Sequence, residues 1–86
     1  VLDPRDNVAV ALTPLQAGET VPVTGSPHAS AVLVRQPIST GHKIALIALQ
    51  RGATVVKYGQ PIGVTTQPIA VGEHVHTHNV VSSRAG

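Results

Sequence analysis

The sequence predicts an all-β domain, from its composition, its turn residues and the spacing of its apolar side chains. Val, Ile and Thr supply 14, 5 and 8 of the 86 residues, and β-branched side chains favour extended backbone. Eight glycines and seven prolines interrupt the chain at short intervals. No segment with the 3.6-residue period of an amphipathic helix is long enough to predict one. A single domain of short strands, spanning residues 1–86, is therefore expected.

The first four predicted strands are short runs rich in Val, Leu or Ile. Residues 7–12 and 20–24 each alternate Val with small or polar residues, which is typical of a half-buried strand. Residues 31–35 follow a polar loop over residues 25–30, in which His28 is interpreted as a surface residue. Residues 43–46 follow Gly41, although Ala and Leu also permit one helical turn over residues 44–49.

Three further strands are predicted in the second half of the chain. Residues 54–58 and 62–66 are rich in Val, Ile and Thr and are separated by Gly59 and Pro61, which indicate a turn. Residues 74–77 continue the pattern after Gly72. Residues 82–86 are expected to be a flexible end or the start of a linker.

A repeated pattern marks four turns between these strands. An apolar residue is followed three positions later by Gly and six positions later by a β-branched residue. Gly is expected there because the turn needs a positive φ. The glycines are unevenly spaced, so the pattern indicates similar corners of one compact fold and not a solenoid. The four occurrences are Leu15, Gly18, Val21; Ile38, Gly41, Ile44; Leu49, Gly52, Val55; and Ile69, Gly72, Val75.

Several classes of protein are excluded by composition. The chain has no Cys, which excludes a disulfide framework and a thiolate metal site. Its six Lys and Arg are scattered and Tyr58 is its only aromatic residue, so it lacks the basic patch and stacking side chains that bind nucleic acid. No stretch approaches the ~20 apolar residues of a membrane span, and no signal peptide pattern is present. A cytoplasmic protein is expected.

Histidine is concentrated near the end of the sequence, where His74, His76 and His78 alternate with other residues. Side chains two apart in a strand face the same side, so the three imidazoles are predicted to form one row. Imidazole is the commonest neutral metal ligand and the main acid–base group near neutral pH. The row is therefore the predicted metal site. The alternative is an exposed strand face that merely tolerates histidine.

Four other residues are candidates for contact with a ligand. Lys43 could pair with a carboxylate, whereas its neighbour His42 is interpreted as a solvated loop side chain. Lys57 and Tyr58 are neighbours in a predicted strand, so their side chains face opposite sides and one of them should point inward. The Tyr58 ring either anchors the core or an interface, or its phenol donates to a ligand. Asn79 closes the histidine segment.

Taken in order, residues 6–11, 41–46, 56–63 and 72–79 resemble the altronate/galactarate dehydratase family. The similarity covers about residues 6–79 and is to the small N-terminal module of that family, a SAF-type domain with the β-clip fold. The last segment is more similar to the altronate branch, or to the small subunit of sulfolactate sulfo-lyase, than to the galactarate branch. The segments are Asp6-Asn7-Val8-Ala9-Val10-Ala11, Gly41-His42-Lys43-Ile44-Ala45-Leu46, Val56-Lys57-Tyr58-Gly59 with Ile62-Gly63, and Gly72-Glu73-His74-Val75-His76-Thr77-His78-Asn79.

The resemblance implies part of a hydro-lyase that converts the sugar acid altronate to a 2-keto-3-deoxy acid, with ferrous iron. Most of the catalytic machinery would lie in a larger region or subunit, so this domain alone is not expected to be active. Lys43, Lys57, Tyr58 and Asn79 would contact substrate, and His74, His76 and His78 would contact the metal. Iron(II) favours two His and one carboxylate, and Glu73 should face away from His74, so the carboxylate would come from elsewhere.

Other functions remain open at this point. The chain could be a carbohydrate- or carboxylate-binding module without a part in the chemistry, or the small subunit of a sulfolactate sulfo-lyase. It could also be a structural domain whose exposed strand edges pair with another copy to give a homo-oligomer.

Overall fold

The fold is known from a computed structural model that describes residues 4–28 and 30–82. In that part of the chain there are eight strands and no helix, and hence no helix long enough to cross a membrane. The strands form three antiparallel sheets, which confirms the predicted all-β class. They are β1 Val8–Val10, β2 Thr20–Pro22, β3 Ala31–Leu33, β4 Lys43–Ala45, β5 Thr54–Lys57, β6 Gln60–Thr65, β7 His74–Val75 and β8 Val80–Ser82.

Each of the seven predicted strands is present, and most are shorter than predicted. The helical turn permitted over residues 44–49 is wrong, because Ile44 and Ala45 belong to β4 and the Leu46 N–H donates to the Asn7 carbonyl at 2.9 Å. Strand β8 was not predicted. It includes Ser82, so the flexible end predicted from residue 82 starts too early, and residues 83–86 lie outside the described residues.

The four predicted glycine turns share one construction. The residue after each glycine donates its N–H to the carbonyl three residues earlier, at 3.0–3.2 Å. The glycine φ angles lie between 83° and 94°, a conformation that other residues rarely adopt. Each of these glycines also donates its own N–H to the backbone carbonyl of a residue distant in sequence, at 2.8–2.9 Å. The predicted repeat is therefore a set of equivalent corners. The glycines are Gly18, Gly41, Gly52 and Gly72.

The corners are joined in two pairs by the apolar residues that precede them. Leu15 and Ile38 exchange two backbone hydrogen bonds, and Leu49 and Ile69 do the same. Each pair has its own buried apolar cluster. Strand β4 lies between the clusters, because Ile44 packs in the first and Ala45 in the second.

The three sheets are ordered β1-β4-β7, β2-β3 and β5-β6-β8. The first sheet positions the candidate site, because β4 and β7 carry histidines at or beside their ends. Its last strand, β7, has two residues, and among the described residues its only strand partner is β4. The corner before β7 is closely packed, since a Cβ on Gly72 would overlap the Leu33 carbonyl oxygen.

Substitution at the corners should distinguish close packing from backbone strain. Gly52 has φ 83° with open space around it, whereas Gly72 has φ 85° against the Leu33 carbonyl. We expect Gly52→Ala to lower the free energy of unfolding by about 1–2 kcal/mol, the penalty for a left-handed residue. Gly72→Ala should lower it by at least about 2 kcal/mol more, because the backbone must move. Urea unfolding of both variants measures this, and equal losses would contradict the packing argument.

Candidate metal and ligand site

The pairing of β4 with β7 brings three histidines together. Its antiparallel register sets Ile44 opposite His74 and Lys43 opposite Val75. If the register is continued one residue beyond the paired residues, His42 lies opposite His76. Both side chains are then on the same face of the sheet as that of His74. The rings of His42 and His76 stack with centroids 3.9 Å apart, and those of His42 and His74 lie 5.0 Å apart. We call His42, His74 and His76 the histidine cluster.

The nitrogen atoms of the histidine cluster converge. Nδ1 of His42 lies 2.8 Å from Nε2 of His74, and one nitrogen from each of the three rings lies within 4.8 Å of the others. Two nitrogen ligands that each lie about 2.1 Å from one metal ion are about 3 Å apart. The separation of the His42 and His74 nitrogens therefore suits two ligands of one divalent transition metal, and His76 is the nearby third donor. Without an ion, an N–H of one neutral ring donates to the nitrogen of the other.

The structure corrects the predicted row of histidines. The predicted row holds for His74 and His76, whose rings stack with centroids 5.5 Å apart. Strand β7 ends at Val75 and residues 76–79 form a turn, so His78 does not continue that face. The His78 ring is 5.0 Å from that of His74, tilted by 34°, and it is not part of the group of converging nitrogens. His42, interpreted from the sequence as a solvated loop side chain, is the third member instead. The equivalent turns at Gly41 and Gly72, which each lead into a strand, are the signal that could have found it, because those strands, β4 and β7, pair.

Asn79 supports the cluster through the main chain. It is 4% exposed, so the prediction that it contacts substrate directly is not supported by its position. Its Oδ1 accepts the His76 N–H at 2.9 Å, and its Nδ2 donates to the His74 carbonyl at 2.7 Å. Both polar ends of the side chain are therefore used inside the domain.

Lys57 and Tyr58 lie in the β5–β6 hairpin, and both predictions about them change. Lys57 is 5% exposed, and its Nζ is 3.7 Å from Asp6 Oδ2, so its ammonium is paired inside the domain and not offered to a substrate. Tyr58 is 64% exposed and does not anchor the core. Its ring centroid lies 3.3 Å from the Lys57 Nζ, so the ring covers the ion pair. Tyr58 has a positive φ of 54°.

Lys43 is the predicted cation that stays available. No carboxylate of residues 4–28 and 30–82 pairs with it. It faces the side of β4 opposite to His42 and lines a cavity of about 230 Å³ that reaches His76. The cavity is mainly apolar, and its other lining residues are Ile62, Val75, Thr77, Val80 and Ser82.

Glu73 does not join the histidine cluster, as predicted from its position beside His74. Its Oε1 accepts the Ala70 N–H at 2.6 Å and so closes the Gly72 corner. Glu19 does the same at the Gly18 corner, where Oε2 accepts the Gln16 N–H at 2.7 Å. Within the described residues the converging donors are three imidazoles without a carboxylate.

The electrostatic setting favours the neutral forms of His74 and His76. Burial lowers the pKa of His74 below its usual 6.5, and the neighbouring His78, His42 and His76 lower it further. Desolvation also lowers the pKa of His76, followed by repulsion from His42 and Lys43. Neutral imidazole is the form that binds metal ions.

Comparison with known proteins identifies the domain. Residues 1–83 match the family model described as the altronate/galactarate dehydratase SAF domain. The chain belongs to this family. The SAF domain is 49% identical over 74 residues to altronate dehydratase of Escherichia coli and 43% identical over 75 residues to that of Bacillus subtilis. These alignments cover 86% and 87% of the chain, and they confirm the resemblance seen in the sequence.

The SAF domain is much smaller than these relatives, since the alignment spans 14% of each altronate dehydratase. A different relative is closer in size. The (2R)-sulfolactate sulfo-lyase subunit alpha of Paracoccus pantotrophus is 51% identical over 47 residues, which is 55% of the chain and 70% of that subunit. The SAF domain therefore corresponds to a small part of the altronate dehydratases and to most of the sulfo-lyase subunit.

The lowered pKa of His74 predicts a pH-dependent stability. The unfolded chain takes up a proton at this residue near the ordinary pKa of about 6.5, above the folded value, so acid favours unfolding. The free energy of unfolding, measured with urea and a chelator, should fall as the pH drops from about 7.5 to about 5.5. His74→Gln should reduce the fall, and the exposed His28→Gln should leave it unchanged. Equal slopes in all three proteins would contradict the assignment.

The buried Asp6–Lys57 pair should serve stability. Asp6→Asn keeps an oxygen that can accept the Gly59 N–H, which now donates to Asp6 Oδ1 at 2.8 Å, but it leaves the Lys57 ammonium unpaired. We expect a loss of about 3–5 kcal/mol in the free energy of unfolding. The double variant Asp6→Asn with Lys57→Met should recover part of that loss. A double variant less stable than Asp6→Asn would show that the pair is not the cause.

Proposed function

We propose that this SAF domain contributes the histidine cluster to the active site of a sugar-acid dehydratase of the altronate type. The observation that carries the proposal is the convergence of three imidazoles, from the ends of two paired strands, in a domain of this family. The alignment to 14% of two altronate dehydratases supports a larger catalytic region as the partner that completes the site.

The histidine cluster would hold a divalent metal ion, with Fe²⁺ as the candidate. Imidazole nitrogen suits iron, and His42, His74 and His76 supply three such donors. A bound ion would polarise a hydroxyl or carboxylate oxygen of the substrate as a Lewis acid. Any carboxylate ligand would come from the larger catalytic region or from the substrate, since Glu73 is engaged in its own turn.

Lys43 would bind the carboxylate of the acid substrate. Its ammonium lies in the cavity that reaches His76, so an anion there would be close to the histidine cluster. Charge pairing in a partly apolar cavity is stronger than in open water. Lys57 and Tyr58 take no part in this role, because the ammonium is buried against Asp6 and the ring covers it.

A sulfolactate sulfo-lyase subunit is the second candidate, on the strength of the 70% of that subunit that the alignment covers. Altronate and sulfolactate differ in their leaving groups, water and sulfite, but both are 2-hydroxy acids. A domain shared by the two enzymes would bind the part that their substrates have in common, the carboxylate and its adjacent hydroxyl. Lys43 and the histidine cluster are suited to a carboxylate with an adjacent hydroxyl.

Metal binding tests the histidine cluster directly. Titration with Co²⁺, which gives an absorption spectrum on binding, should yield a dissociation constant that rises by about tenfold or more in His42→Ala, His74→Ala and His76→Ala. His78→Ala should have a smaller effect, and the exposed His28→Ala is the control. If His42→Ala binds Co²⁺ as the parent does and His78→Ala does not, the predicted row is right and the cluster is wrong.

Mixing the domain with the larger catalytic region tests the enzymatic role. The turnover number of the reconstituted dehydratase should depend on the domain, and His74→Ala or His76→Ala should lower kcat. A rise in KM with an unchanged kcat would instead indicate a binding module that takes no part in the chemistry. Equal rates with and without the domain would remove the active-site role.

A further inference from the structure

The histidine strand β7 is bounded by another strand on one side only. It pairs with β4, and its other edge has no strand within the described residues. The main-chain N–H and carbonyl of His74 still have partners. Both are bonded to side-chain amides, one from Gln36 and one from Asn79. Two amide side chains therefore take the place of the missing neighbouring strand.

Gln36 acts only as an acceptor in this arrangement. Its Oε1 accepts the His74 N–H at 2.8 Å, across 38 residues of sequence. The adjacent Arg35 N–H donates to the Gly72 carbonyl at 3.0 Å, which brings the chain beside β7 and sets the Gln36 side chain in range.

Asn79 acts both as a donor and as an acceptor. Its Nδ2 donates to the His74 carbonyl and its Oδ1 accepts the His76 N–H, so one side chain bridges the main chain of two cluster histidines. The His76 carbonyl in turn accepts the N–H of Asn79 and of Val80, each at 3.1 Å. The turn that follows β7 is closed around this amide.

We propose that Gln36 and Asn79 are positioning residues, which hold the main chain of His74 and His76 so that both rings meet His42. Neither amide is assigned a contact with the metal or the substrate. A ring whose backbone is fixed on both sides loses little freedom when an ion binds, so outer contacts of this kind raise affinity. The metal part of the inference rests on the proposed function, whereas the ordering of the rings does not.

The two amides differ in what a carboxylate replacement should do. Gln36→Glu keeps the acceptor oxygen, so the His74 N–H stays bonded. Asn79→Asp keeps one acceptor but sets the second oxygen against the His74 carbonyl, where a donor is needed. Both variants add one negative charge near the cluster. The difference between them therefore isolates the requirement for a donor at position 79.

Co²⁺ titration of the 86-residue chain measures the effect on affinity. We expect the dissociation constant to rise by about tenfold or more in Asn79→Asp and in Gln36→Leu, the usual effect of losing an outer contact. Gln36→Glu should stay within about threefold of the parent or bind more tightly. Gln67→Leu, a loss of an exposed amide elsewhere on the surface, is the control and should bind as the parent does. Thermal unfolding of each variant shows which of them are folded.

The tautomers of the metal-free rings supply a second readout. Long-range ¹H–¹⁵N spectra should show fixed tautomers for His42 and His74 in the parent and in Gln36→Glu, and averaged signals in Gln36→Leu and Asn79→Asp. If the parent binds no Co²⁺, the metal proposal fails and these spectra still decide the inference. If Asn79→Asp does not fold, the comparison of Gln36→Leu with Gln36→Glu decides whether the amides position the rings. Folded variants with parental affinity and fixed tautomers would overturn it.

Discussion

Strand β7 has two residues, and its pairing with β4 determines which side chains meet. A slip of one residue would exchange the faces of His74 and Val75, which would place Val75 against His42 and bring His74 to the Lys43 side. So short a strand has few bonds of its own to fix its register. The Gly72 corner supplies the rest, because Gly72 fits against the Leu33 carbonyl and donates to Ala45. The geometry of the histidine cluster thus depends on Gly72, a residue that has no side chain to contact a metal or a substrate.

The same corner occurs four times, and the residue after the glycine differs in use. At Glu19 and Glu73 the carboxylate reaches back to the N–H three residues earlier and closes the turn. His42 occupies the equivalent position, and its ring extends to His74 and His76 instead. The backbone of the His42 corner is held by the His42 N–H and the Gly41 N–H, at 3.0 and 2.8 Å. A corner that is closed by backbone alone leaves its side chain available for chemistry.

The sequence predicted what depends on neighbours in the chain. The seven strands follow from β-branched runs, and the corners follow from glycines that adopt positive φ. It did not predict what depends on register or on distant partners. His42 meets His74 across 32 residues, and Lys57 meets Asp6 across the fold. The alternation of histidines predicted the contact between His74 and His76, but β7 ends at Val75 and the turn over residues 76–79 takes His78 out of the row.

The acidic residues show why this domain is suited to a shared site. Asp6 is paired with Lys57, while Glu19 and Glu73 each close a corner, so the three carboxylates in the described part of the chain are used for structure. What the domain offers outward is neutral nitrogen and the Lys43 ammonium. The proposed elimination also needs a base, and a metal ion held by three imidazoles would keep its full charge for an anionic ligand or substrate. In that proposal the larger catalytic region supplies the carboxylates, because those of the described residues are already used in the fold.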